Sequence, residues 1–185
     1  MSHERFTDGG AAMMARVDAE IHASENLADL YANICDLAVG VGGYTMAWVG
    51  LAEHNREHSV FPVAHAGFNS HYIETAEISW SLQPNGLGPA GMAIRTGTVQ
   101  VENSIRTAPS MEPWRNQALY RDYLSVICLP LQDKTGTFGV VTLYAPEEGW
   151  FDDDLVAVLT VLAGKMSLAV ERLRETAYKH LIGKL

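Results

Sequence analysis

From Asp152 the chain runs through Leu155, Leu159, Leu162, Met166, Ala169 and Leu173, apolar residues that step by four and three along one side of a helix. Val156, Val158, Val161, Leu168 and Val170 load its other faces, so this helix is too apolar to lie alone in water. It needs cover on two sides, a sheet of its own chain on one and N-terminal helices or a second copy on the other. The start is well marked. Asp152 is placed to cap, Phe151 and Val156 to form a hydrophobic staple, and Asp153 and Asp154 to complement the helix dipole. The pattern continues through Thr176 to His180.

Candidates for both covers lie upstream. Met14, Val17 and Ile21 recur at helical spacing, and Ser24 is placed to cap a second helix bearing Leu27, Leu30, Tyr31, Ile34 and Ala38, stopped by Gly40, Gly42 and Gly43. Before them, Met1 to Gly10 is polar, ends in two glycines and reads as disordered. Strands are expected at Tyr44 to Leu51 and Val60 to Ala66, turning at His54 to Glu57, and at Thr98 to Glu102. Two more, Ser125 to Leu131 and Thr137 to Ala145, are joined closely enough to form an antiparallel hairpin. Pro130 within them demands an edge, a bulge or a strand end. Short helices are expected at His71 to Glu77 and, capped by Ser110, at Glu112 to Arg121.

Between these elements Gly88-Pro89-Ala90-Gly91-Met92-Ala93-Ile94-Arg95-Thr96-Gly97 spells out one helix of about two turns. Pro89 suits the first helical position and Gly97 the left-handed residue that ends it. Gly86 and Gly88 bare the backbone at its start, where amides can face a small ligand, or they serve a tight loop and close packing. Gly86, Gly88 and Gly91 also match G-x-G-x-x-G literally. The dinucleotide reading fails on context, because Ser81 to Asn85 has a turn composition where a buried strand is required, and Pro89 sits inside the motif.

A net charge of −9, with no cluster of Lys or Arg, argues against nucleic acid and anionic membrane surfaces as partners. No stretch has the length of a membrane span or the pattern of a signal peptide, and Cys35 and Cys128 stand in apolar runs as small buried hydrophobes, which fits a reducing cytoplasm. Seven histidines, His65 and His71 among them, show no metal-ligand spacing. The sequence therefore names no cofactor.

Five stretches in order, Tyr44 to Leu51, Gly88 to Gly97, Pro113-Trp114-Arg115, Ser125 to Leu131 and Phe151 to Asp154, resemble a GAF domain over about residues 20 to 175. The chain is similar to bacterial GAF modules that precede diguanylate cyclase, phosphodiesterase or histidine kinase domains. The resemblance implies an α+β fold, a five- or six-stranded antiparallel sheet with an N-/C-terminal helical bundle on one face and short pocket helices on the other. The implied division is 1–10 disordered, 11–175 the GAF domain and 176–185 a helix end or linker. Asp122 stands where similar domains often carry Gly, and Asp tolerates the left-handed conformation.

The implied role is a cytoplasmic, non-catalytic sensor of an unidentified small molecule that signals through its terminal helices as a homodimer. Expected ligand-binding residues are Trp80, Gly88, Gly91, Met92, Asn103, Trp114, Arg115 and Tyr123. Several have a plainer alternative. Trp80 and Trp114 suit core packing as well as stacking on a ligand, and Arg115 suits a surface pair with Glu102, Glu112 or Asp122 as well as a carboxylate or phosphate. Asn103 suits an ordinary turn. A ligand-free dimerisation module, its pocket filled by Trp80, Trp114 and Met92, is one alternative function. Free methionine-(R)-sulfoxide reduction is another, but Ala90 occupies the turn where such enzymes resemble Gly-x-Cys-Gly. Covalent bilin attachment lacks its usual Cys beside a His. With no catalytic domain after Leu185, the expectation is a fragment or a stand-alone protein acting through partners.

Overall fold

The computed structural model describes residues 11–68 and 72–183. In order these form α1 (Ala11–Ala23), α2 (Leu27–Gly40), β1 (Met46–Ala52), β2 (Val60–Gly67), α3 (Tyr72–Thr75), α4 (Pro89–Thr96), β3 (Gln100–Glu102), α5 (Arg115–Tyr120), β4 (Ser125–Asp133), β5 (Gly136–Ala145) and α6 (Asp153–Ile182). Short 3-10 turns lie at Pro84–Gly86 and Pro109–Met111. The polar start read as disordered, and His71, lie outside the described residues.

One five-stranded antiparallel sheet, in the order β2-β1-β5-β4-β3, divides the chain into two cores. Strand alternation does the dividing. Ile127, Leu129, Val141 and Leu143 join Leu30, Ile34, Leu159, Leu162 and Met166 on the face covered by α1, α2 and α6. Val126, Cys128, Val140 and Tyr144 face the opposite way, toward Ala90, Ile94, Met111 and Trp114. The apolar C-terminal helix thus has the sheet on one side and the N-terminal helices on another. Each fully buried leucine in that packing contributes about 1.5–3 kcal/mol. Lys165 Nζ reaches Asp18 Oδ1 at 2.8 Å and Arg172 Nη2 donates to the Ile21 carbonyl at 2.7 Å, clamping α6 to α1. Among the described residues no helix is long and apolar enough to cross a membrane.

Asp152 caps α6 as its sequence predicts, accepting from the Leu155 amide at 2.9 Å, and Phe151 stacks on Tyr44 just before it. Asp122 is left-handed, φ 56°. Pro130 pairs with Val140 on β5, while β3 covers only Val126 to Cys128 of β4's other side, so the proline stands where that side has no strand partner.

Two expected caps are different. Asn26, not Ser24, caps α2 by accepting from the Asp29 amide, because Ser24 turns its hydroxyl back to the Glu20 carbonyl. Ser110 sits in the 3-10 turn and donates to Glu102, and the helix expected from Glu112 begins only at Arg115.

Candidate functional site

The roof of the second core is the start of α4. Gly88 is its N-cap, Pro89 its first residue, and Gly97 closes it at φ 65° with its N–H on the Ala93 carbonyl. The three upstream glycines serve close approach of main chain and ring. A β-carbon on Gly91 would lie 2.3 Å from the Gly86 carbonyl oxygen and 2.5 Å from that of Ser79, and one on Gly86 would lie 2.1 Å from the Ser81 oxygen. Arg95 fastens the same loop, its Nη1 donating to the carbonyls of Trp80, Ser81 and Gly86 at 3.0, 2.7 and 2.5 Å. The roof is therefore held by backbone contacts from three sides.

Beneath it lies a small apolar cavity bounded by Gly88 to Gly91, Trp114, Met111, Tyr72, Cys128 and Tyr144. Its free volume of about 20 Å³ has room for one water molecule. Aromatic side chains fill the rest. Tyr72, Tyr123 and Tyr144 pack ring against ring, with centroids 4.6 Å apart for Tyr123 and Tyr144, 5.6 Å for Tyr72 and Tyr123 and 5.8 Å for Tyr72 and Tyr144. The Tyr72 and Tyr144 hydroxyls lie 3.3 Å apart, Tyr123 donates to the Phe68 carbonyl, and Trp114 Nε1 donates to the Ala76 carbonyl at 2.7 Å. Burial pushes the phenols of all three tyrosines up, that of Tyr72 to about 12. They are neutral donors at neutral pH. A guest larger than water enters only if Trp114 or the α4 roof moves.

The chain's two thiols sit on opposite faces of the sheet. Cys128 lines the cavity and lies 3.4 Å from Thr142 Oγ1, whereas Cys35 belongs to the helical core. Burial pushes each thiol up to about 12. Neither is a thiolate at neutral pH, and neither has a second thiol on its own side of the sheet. Among the described residues no three His, Cys, Asp or Glu side chains are grouped to hold a metal.

Of the expected ligand-binding residues, the fold gathers Gly88, Gly91 and Trp114 around the cavity, with Tyr123 in the ring cluster behind it. Four others lie elsewhere. Met92 turns to Arg95, its sulfur 2.8 Å from Nη2. Trp80 donates its N–H to the Glu53 carbonyl and meets His54 and His58 edge-on, on the β1–β2 hairpin. Asn103 binds the Phe151 backbone twice, donating to its carbonyl at 2.8 Å and accepting from its amide at 3.0 Å. Arg115 donates to the carbonyls of Ile105 and Ala108, so its guanidinium braces a loop. The ligand-free alternative named Trp80, Trp114 and Met92 as the filling, and of these Trp114 alone fills the cavity, alongside Tyr72, Met111 and Tyr144. Cys128 and Tyr144 were findable in principle, since both fall on the strand positions opposite to those facing the helices.

A family model described as a GAF domain matches residues 24–171. No curated protein matches the chain. Among solved structures, the free methionine-R-sulfoxide reductase of Neisseria meningitidis, in complex with its substrate, is similar at TM-score 0.74 and 17% identity, covering 89% of each chain. The GAF domain of a phosphoenolpyruvate-protein phosphotransferase from Coxiella burnetii is similar at TM-score 0.74 and 14% identity, covering 97% of this chain and all of that one. Its Acinetobacter counterpart has TM-score 0.68 and 14% identity, covering 95% of this chain and 97% of the other. At such identities the likeness concerns the fold.

Proposed function

The chain belongs to the GAF family, and on that footing we propose that it is a regulatory sensing domain, non-catalytic and cytoplasmic, that takes a small molecule between the sheet and α4 and reports occupancy through α6. The observation that carries this reading is the two-faced β4. Cys128 lines the cavity, while its neighbours Ile127 and Leu129 pack in the core shared with Leu159, Leu162 and Met166. A guest that displaces Trp114 or lifts α4 pushes on the sheet, and the sheet is what α6 rests on. The ligand acts by preferring the opened arrangement. An apolar, ring-lined cavity favours a guest with a flat apolar face. The output is a signalling enzyme of the kind bacterial GAF modules precede, a diguanylate cyclase, phosphodiesterase or histidine kinase, and a homodimer through the terminal helices carries the signal to it.

Sulfoxide reduction is the competing reading, since Cys128 borders the cavity and a similar fold belongs to a reductase. That reaction leaves an oxidised sulfur which a second thiol must discharge, and Cys35 is across the sheet. Native mass spectrometry of freshly purified protein tests the proposal. A bound small molecule released on denaturation is expected, and turnover of free methionine sulfoxide with a thiol reductant would overturn it.

A further inference from the structure

Outside that small cavity, a groove of about 510 Å³ runs between β2 and the segment from Ile73 to Asn85. Its walls are tied together at one end. The Val60 amide donates to the Ile78 carbonyl at 2.9 Å and the Trp80 backbone amide to the His58 carbonyl at 2.8 Å. The size is that of a small-molecule site.

Its chemistry is one-sided. Glu57 comes from the β1–β2 turn, and Glu74 and Glu77 from the opposite wall; among the described residues no Lys or Arg lines the space. Phe61, 58% exposed, adds an aromatic face, the surface a cation prefers. Trp48 supplies an independent signal. It is 1% exposed and lines the groove, yet its indole N–H has no hydrogen-bond partner. A buried donor without an acceptor is rare in folded proteins, and an incoming oxygen would satisfy it.

We propose that this groove binds a small organic cation, an ammonium compound that also carries a hydroxyl or carbonyl oxygen. The carboxylates of Glu57 and Glu77 hold the charge, and the oxygen accepts from Trp48. Ile78 belongs to the walls of both the groove and the small cavity.

Choline, ethanolamine and glycinamide are the probes, titrated into isotope-labelled full chain while the Trp48 indole N–H resonance is followed. The uncharged carbon isostere of choline is the control. At least one ammonium probe is expected to shift that resonance saturably, with the neutral isostere silent. The double variant E57Q/E77Q, altered only at exposed side chains, is expected to keep its circular dichroism spectrum and to bind about tenfold more weakly. Three silent ammonium probes, equal shifts from the neutral isostere, or undiminished binding by E57Q/E77Q would each overturn the proposal.

Discussion

The indole of Trp114 lies against the main chain of Gly88, so closely that a β-carbon there would come within 2.3 Å of its Cζ3 and 2.7 Å of its Cη2. Gly88 sits at φ −71°, a conformation open to any residue, so it is the ring and not the backbone angle that demands glycine. One contact therefore sets both the height of the α4 roof and the size of the space beneath it.

Gly88→Ala is expected to destabilise the fold by about 1–3 kcal/mol through overpacking. Trp114→Leu removes the atoms that a new methyl would strike. In the double variant the two losses should fall short of their sum by about 1 kcal/mol. Urea midpoints for the four proteins decide it, and simple additivity would mean that ring and glycine do not touch.

Trp114→Ala is the complementary test. Deleting a buried ring leaves a void and costs about 3–5 kcal/mol, and a dry apolar void takes up a matching guest. Indole should raise the melting temperature of this variant more than that of the parent, whose cavity holds no more than one water until Trp114 or α4 moves. Equal shifts in both would place the indole elsewhere.

What could be read from the sequence and what could not divide by reach along the chain. The Asp152 cap, the Gly97 terminus and the left-handed Asp122 depend on residues within a turn of themselves, where spacing and residue type carry the information. The two cores follow from period-two alternation in β4 and β5. Asn103, Trp80 and Trp114 instead satisfy backbone groups 48, 27 and 38 residues away, partners that no local pattern names. Polar and aromatic residues near an inferred pocket therefore read as ligand contacts, while the side chains of Asn103 and Trp80 also tie distant loops together. Ser24 and Asn26 show the same limit at short range, for either can cap and only the Glu20 contact decides.

Asn103→Ala strips both hydrogen bonds from the Phe151 backbone at the entry to α6. An unpaired, partly buried backbone group costs about 1–3 kcal/mol. The denaturation midpoint should fall with an unchanged m-value, and affinity for any cavity ligand should stay as it was. Lost affinity at full stability would return Asn103 to the binding site.

The cysteines give a pH-dependent prediction. Both thiols are raised from 9.0 to about 12 in the fold, so the native state holds protons that the unfolded chain releases earlier. Their contribution to stability is complete below about pH 9 and is lost as pH rises toward about 12, with the buried tyrosines adding to the loss above about pH 10. Cys35→Ala/Cys128→Ala should flatten the fall of the midpoint between about pH 9 and 10. A thiol-reactive disulfide reagent at neutral pH should label the parent only as fast as it unfolds, and rapid labelling of Cys128 would revive the reductase reading.

The outer face of α6 offers the test of self-association. Val161 and Leu168 are 53% and 69% exposed, one heptad apart, with Gly164 between them and open space above its α-carbon. Tyr178, Leu181 and Ile182 continue the exposed apolar surface toward the C-terminus. A helix already covered by the sheet and α1 has no need of these residues for its own folding, so a charge among them should leave monomer stability within about 0.5 kcal/mol of the parent. In a homodimer the same charge would be buried opposite its own copy and would repel it. Light scattering should therefore give a dimer mass for the parent and a monomer mass for Leu168→Glu, at similar melting temperatures when extrapolated to low concentration. A parent that stays monomeric at high concentration would remove the homodimer from the proposed mechanism and leave α6 to signal to a different partner.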